Sequence, residues 1–320
     1  MKKYLFTLLA GFIGFTSNGQ IAIFGDDIKQ GEKLIEAYFT PMAESFGAGL
    51  NNGWYNTAKP HSLGGFDLTF TLNTVMIPNA AETFKIGNAF GNVFKSEENE
   101  ASTIFGSTST TSMYYDPSSA PGSDSIPFKM PGGLKAAAMP LPMIQAGVGL
   151  IKNTAIDIRY MPMLNVGNAV KVNLFGIGLK HDLLQWIPVA GNAIPMSLSL
   201  QWGYTNLNTE LKIDEHEVSL NTKANTINLV ASKRLLMVTG YAGIGYNSST
   251  TSFSADADFE LKGDLSSIKF EEKVQMDFES KNNLRANVGF RFNITLVTIQ
   301  ADYTFSEYPT ATLGLGVSLR

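Results

Sequence analysis

The sequence predicts an all-β fold: a transmembrane, antiparallel, up-and-down β-barrel of about ten strands, within a range of roughly eight to fourteen, preceded by an amphipathic helix. Three observations predict it. The carboxy-terminal residues alternate strictly, with Ala311, Leu313, Leu315, Val317 and Leu319 on one side and Thr312, Gly314, Gly316 and Ser318 on the other. Period-two alternation makes a strand with two unlike faces, and barrels end on such a strand because it pairs with the first to close the wall. The amino terminus has the form of an export signal. Finally, a chain that is 44% hydrophobic contains no run of 18 apolar residues, so its apolar side chains are spread over alternate positions rather than gathered in spanning helices.

Residues 1–19 are read as the signal peptide. Lys2 and Lys3 precede an apolar run at residues 4–15, followed by small residues at Ser17 and Gly19. About a dozen apolar residues is short of the roughly 20 a spanning helix needs. No Cys lies anywhere in the chain, which excludes a lipoprotein anchor, a disulfide framework and thiolate chemistry. Removing the signal takes two lysines and no acids, leaving 22 basic and 28 acidic residues. That acidic balance argues against nucleic acid as a partner.

Residues 20–63 form an amino-terminal unit, expected in the periplasm or the lumen. Asp27 is a helix N-cap with Gln30 three residues on. Leu34, Ile35, Tyr38, Phe39 and Met42 recur at helical spacing, so residues 28–42 form an amphipathic helix that Pro41 kinks or ends. Gly47, Ala48 and Gly49 close it, and a loop rich in turn formers but carrying Trp54 and Tyr55 follows.

The barrel occupies residues 64–320. Alternation begins at residues 66–72. A low-charge excursion at residues 77–138 interrupts it, and hairpins follow. Strands are expected at 144–150, 156–160, 170–179, 196–204, 227–231, 237–246, 284–292, 297–305 and 311–319, with Pro162 ending the third. Turns fall at Lys152-Asn153, Ser232-Lys233-Arg234 and Asn293. Polar excursions at residues 206–225 and 247–281 complete a pattern of short turns at one end and long loops at the other, as in outer-membrane barrels.

Asp157, Arg159, Gln201, Arg285, Arg291 and Asp302 all fall on the polar face and are candidate lumen-facing residues, because charge exposed to hydrocarbon costs several kcal/mol. Glycines on the same face leave room for a narrow lumen or a plug. Tyr160, Trp202, Tyr204, Tyr246, Tyr303 and Phe305 cluster toward strand ends, as interface girdles do.

Two segments carry a resemblance. Leu50-Asn51-Asn52-Gly53-Trp54-Tyr55-Asn56-Thr57-Ala58-Lys59-Pro60-His61, continuing through Gly64-Gly65-Phe66-Asp67, is one. Gly176-Ile177-Gly178-Leu179-Lys180-His181-Asp182-Leu183-Leu184-Gln185-Trp186-Ile187-Pro188 is the other. Together they resemble a functionally uncharacterised outer-membrane barrel family of the Bacteroidota. The helix-before-barrel layout is distantly similar to the long-chain fatty-acid channel superfamily, whose fourteen strands exceed those found here. The resemblance implies an outer-membrane barrel and carries over no catalytic or binding residue.

No catalytic, cofactor-binding or metal-ligating residue is assigned, and the chain is read as non-enzymatic. His61, His181 and His216 are far apart in sequence. His216, flanked by Asp214, Glu215 and Glu217, lacks the converging acids a hydrolytic site needs. The acids at 256, 258 and 260 lack the calcium-loop glycine and terminal Glu. Trp54, Tyr55, His181 and Trp186 are candidate partner or interface contacts. The expected role is a structural or assembly subunit of an outer-membrane complex in a Gram-negative bacterium, in contact with the lipid bilayer, lipopolysaccharide and other envelope proteins. The alternative is a channel for small hydrophobic molecules with an amino-terminal plug.

Overall fold

The computed structural model describes residues 21–319 except 88–89, 91–92, 117–124, 167–169, 188–194, 214–215, 263–266 and 281–282. The expected signal peptide, Pro188, Asp214 and Glu215 lie outside the described residues. One helix, α1 (Ile21–Asn51), precedes β1 (Phe66–Met76). Five short strands then occupy the first excursion: β2 (Thr83–Lys85), β3 (Phe94–Lys95), β4 (Glu100–Ser102), β5 (Thr111–Tyr115) and β6 (Ile126–Met130). The rest of the chain is β7 (Ala138–Leu150), β8 (Thr154–Val166), β9 (Val170–Asp182), β10 (Ser197–Ile213), β11 (His216–Leu235), β12 (Val238–Lys262), β13 (Ser267–Glu279), β14 (Leu284–Ile294), β15 (Val297–Phe305) and β16 (Thr310–Leu319).

Ten of these strands close into an antiparallel barrel in the order β1, β7, β8, β9, β10, β11, β12, β14, β15, β16. The seam is β1 against β16, in register from Phe66↔Leu319 to Val75↔Thr310. β11 pairs with β12 on the far side. β12 is long enough for two partners. Its first nine residues pair with β14, and its outer half, from Thr250, pairs with β13. Thus β13 and β14 act as one interrupted strand. Closure leaves no free sheet edge in the ring, which removes the template an open sheet offers for aggregation.

The alternation sets the two faces of the wall. Phe66, Leu68, Phe70, Leu313, Leu315, Val317 and Leu319 are exposed on the outside, while Asp67, Thr69, Thr71, Asn73, Thr310, Thr312 and Ser318 are buried on the inside. No described helix is long and apolar enough to cross a membrane, so an apolar outer surface of this extent is a property of the strands.

Several local expectations are corrected. α1 is twice as long as the periodicity indicated, running through both Pro41 and Gly47-Ala48-Gly49. An interior proline costs about 3 kcal/mol of helix stability, offset here by the buried face of Leu34, Ile35, Tyr38, Phe39, Ala43, Ala48 and Leu50. Gly47 and Gly49 are not helix stops. A β-carbon at Gly47 would overlap Ser249, and one at Gly49 would overlap Leu141, so these glycines let the helix touch the wall. The stop is Gly53, at φ +74°. Pro162 does not end β8, because a register shift between Met161 and Leu164 absorbs it. Two turns lie two to three residues beyond the expected places, with Leu236 (φ 55°) and Thr295 (φ 57°) in the left-handed region. Neither residue type announces that conformation in sequence. The described residues of the polar excursions expected at 206–225 and 247–281 continue the β10–β11 and β12–β13 pairings beyond the apolar band.

Candidate functional site

The lumen is filled by the chain's own amino-terminal segment. α1 ends level with Asn73 near the long-loop end of β1, and residues 52–61 then descend through the barrel to the short-turn end, where Phe66 starts the wall. The carboxy end of a helix presents carbonyls without partners and carries about half a negative charge. In water such groups are solvated; inside a barrel the wall must satisfy them.

Two arginines from different parts of the wall do so. Arg159 of β8 donates from Nη1 to the Leu50 carbonyl at 2.8 Å and from Nη2 to the Asn52 carbonyl at 2.7 Å. Gln145 of β7 fixes its Nε at 2.9 Å. Arg285 of β14 donates to the Asn51 carbonyl at 2.6 Å and to Asn52 Oδ1 at 2.7 Å. Asn73 of β1 adds bonds to the Gly49 and Asn52 carbonyls at 2.8 and 3.1 Å. Thr304 of β15 donates to Asn52 Oδ1 at 2.6 Å, and the Asn52 amide turns back to the Ala48 carbonyl at 2.8 Å. Asn52 is thereby held by four strands at once. A third guanidinium, Arg291, meets Asn56 Oδ1 at 2.6 Å farther down.

The aromatic loop below is seated in slots. The Arg159 guanidinium lies 3.6 Å from the centroid of the Trp54 ring. The ring occupies space that β-carbons at Gly178 and Gly203 would fill. Tyr55 donates to Asn287 Oδ1 at 2.7 Å and packs edge-on against Tyr241, whose hydroxyl donates to Asp302 Oδ2 at 2.9 Å. Lower still, the Ala58 backbone amide donates to Ser232 Oγ at 2.9 Å, and Ser199 donates to the Ala58 carbonyl. His61 Nε2 lies 3.3 Å from Asp67 at the mouth.

All six candidate lumen-facing residues are buried inside the wall. Arg159, Arg285, Arg291 and Asp302 belong to the network around the plug. Gln201 accepts from Asn228 at 2.6 Å, and Asp157 shares with Asp67 the space left by Gly147. Trp54 and Tyr55, expected as partner contacts, are corrected. Both are almost fully buried and touch this chain's own wall, because the loop carrying them runs inside the barrel. His181 and Trp186 stand apart at the short-turn end. Trp186 Nε1 donates to His181 Nε2 at 2.9 Å, and Trp186 is 61% exposed. The residues that sequence reasoning missed are Asn52, Asn73 and Gln145. The Asn-Asn-Gly after a helix was the available signal for the first; the other two are ordinary inward polar positions.

Among the described residues no group of three or more His, Cys, Asp or Glu side chains could hold a metal ion. The three histidines are not brought together, and His216 sits at the tip of the β10–β11 hairpin, paired with Ile213. This arrangement grips the chain's own polypeptide.

No curated protein matches the chain. Among solved structures, it is similar to the translocator domain of autotransporter NalP from Neisseria meningitidis, at 10% identity and TM-score 0.29, covering 90% of this chain and 97% of that one. It is similar to the outer-membrane protease OmpT from Escherichia coli at 13% identity and TM-score 0.27, covering 80% and 97%. The attachment invasion locus protein Ail of Yersinia pestis matches at 9% identity and TM-score 0.21, covering 80% and 97%. The likeness to these outer-membrane proteins is one of barrel fold. A family model matches residues 1–319, and the chain belongs to that family, described as a family of unknown function (DUF6588).

Proposed function

We propose that this protein is an integral outer-membrane barrel of a Gram-negative bacterium, non-enzymatic and sealed by its own amino-terminal segment, which serves as a structural or assembly subunit of an outer-membrane complex. The observation that carries the reading is the occupied lumen. Two wall arginines spend their donors on backbone carbonyls of residues 50–52, so the inner face is committed to holding the chain rather than to passing a solute. A ten-strand barrel leaves little lumen once side chains fill it, and the plug takes what remains. The outer apolar band meets lipid tails, the His181–Trp186 pair sits at headgroup level, and the strand extensions stand beyond the membrane among lipopolysaccharide. The Bacteroidota resemblance belongs to this reading, and the channel alternative would require the segment at residues 52–61 to leave its seat.

The test is conductance in planar bilayers together with isolation in mild detergent. The protein is expected to insert silently and to co-isolate with other envelope proteins. A steady open conductance, or swelling of solute-loaded liposomes, would overturn the sealed reading in favour of a channel.

A further inference from the structure

We propose that α1 carries the amino-terminal end of the mature chain out of the barrel at the long-loop face, so that this helix is presented at the cell exterior. The inference rests on the outer-membrane reading and goes beyond it.

A segment that leads into a barrel strand from the short-turn side would ordinarily be expected to stay on that side. Here the course is the reverse. Residues 52–61 arrive at β1 from above: Asn52 is held near the long-loop ends of β1 and β14, Ala58 is level with Ser232, and His61 is beside Asp67 at the opposite mouth. Everything before residue 52 therefore lies toward the long loops. At 1.5 Å per residue, Tyr38 stands about 20 Å and Glu32 about 28 Å along the helix from Asn51. Half the hydrocarbon thickness is only about 15 Å.

The contacts agree with this distance. Tyr38 donates from its hydroxyl to the Gly132 carbonyl at 3.0 Å, and its own carbonyl accepts from the Ile104 amide at 3.1 Å. Both partners belong to the long first excursion. Leu34, Ile35, Tyr38 and Phe39 share a second apolar core with Phe94, Met113 and Met130 of that excursion, and with Leu220, Phe253 and Phe278 of the hairpin extensions. None of those residues lies on the apolar outer band of the wall. The helix is thus the central element of a folded cap on the long-loop end, with Glu32, Lys33 and Glu36 turned to solvent. In outer-membrane barrels the long loops face outward, which puts this cap outside the cell.

The absence of cysteine permits a clean test by labelling single-cysteine variants on intact cells with a membrane-impermeant maleimide. Glu32→Cys reports on α1, Glu98→Cys on the long excursion and Lys152→Cys on a short turn; heat-modifiable migration verifies that each variant folds. Glu32→Cys and Glu98→Cys are expected to label equally before and after the outer membrane is opened, and Lys152→Cys only afterwards. Labelling of Glu98→Cys with Glu32→Cys silent would overturn the proposal and leave the outer-membrane reading standing. Labelling of Lys152→Cys alone in intact cells would invert the orientation and overturn the proposal. Three silent variants would remove the surface location, and the proposal with it.

Discussion

Replacing Arg159 by Met tests whether the wall arginines hold the plug. The substitution keeps most of the volume and removes the charge. Arg159 makes two charge-assisted hydrogen bonds to the carbonyls of Leu50 and Asn52, each contributing roughly 1.5–3 kcal/mol. Its contact with the Trp54 ring adds about 1 kcal/mol or more. Taking the lower figures, the seated plug loses about 4 kcal/mol, which at 1.4 kcal/mol per decade is nearly a thousandfold rise in the unseated fraction. In planar bilayers the parent should be silent, Arg159→Met should show brief openings, and Arg159→Met/Arg285→Met longer ones. The two effects should not add, because both side chains meet at Asn52. Silence of the double variant, with heat-modifiable migration intact, would refute the reasoning. Loss of that migration would refute it differently, by placing the arginines in wall stability rather than plug retention.

Gly203→Val should expel Trp54, since a side chain there overlaps the ring and overpacking costs about 1–3 kcal/mol. Limited proteolysis should then cut the aromatic loop, and adding Trp54→Leu should restore protection. Leu315→Arg sets a charge on the outer band opposite Phe70; with a cost of about 2–4 kcal/mol near the midplane, it should lower the urea midpoint of folding into vesicles, whereas Leu315→Met should leave it nearly unchanged. Asp116 is held below its ordinary pKa of 3.8 by Lys95, 2.5 Å away, with help from Ser125. Its contribution to the cap is therefore full above pH 3.8 and is lost as pH falls through the lower folded value. Amide exchange in β3 and β5 should quicken over that acidic window, and Lys95→Met should abolish the step.

The wall was legible in the sequence because the pleat imposes a two-residue period on every strand that has an apolar exposed face and a polar buried one. All ten barrel strands carry that period, from Phe66 to Leu319. The plug was less legible for a physical reason. Arg159 and Arg285 bind backbone carbonyls, which every residue possesses, so no side-chain pattern marks their partners. Gly47 and Gly49 have the composition of a helix end, yet serve close approach to Ser249 and Leu141. Whether a glycine supplies conformational freedom or empty space depends on a neighbour distant in sequence. Leu236 and Thr295 mislead in the other sense, as positive-φ turn residues of types that seldom adopt that conformation.

The central claim is that the carboxy end of the amino-terminal helix enters the barrel made by the same chain and that the segment after it fills the lumen. A disulfide between Gly47→Cys and Ser249→Cys addresses it directly. A β-carbon at Gly47 lies 2.8 Å from Ser249 Cβ, and a shift of about 1 Å gives the usual disulfide separation. Mild oxidation in native membranes should convert the variant to an intramolecularly bridged monomer, identified by a joined peptide pair after digestion. Free thiols under conditions that oxidise exposed cysteines, or bridges only between separate chains, would contradict the account.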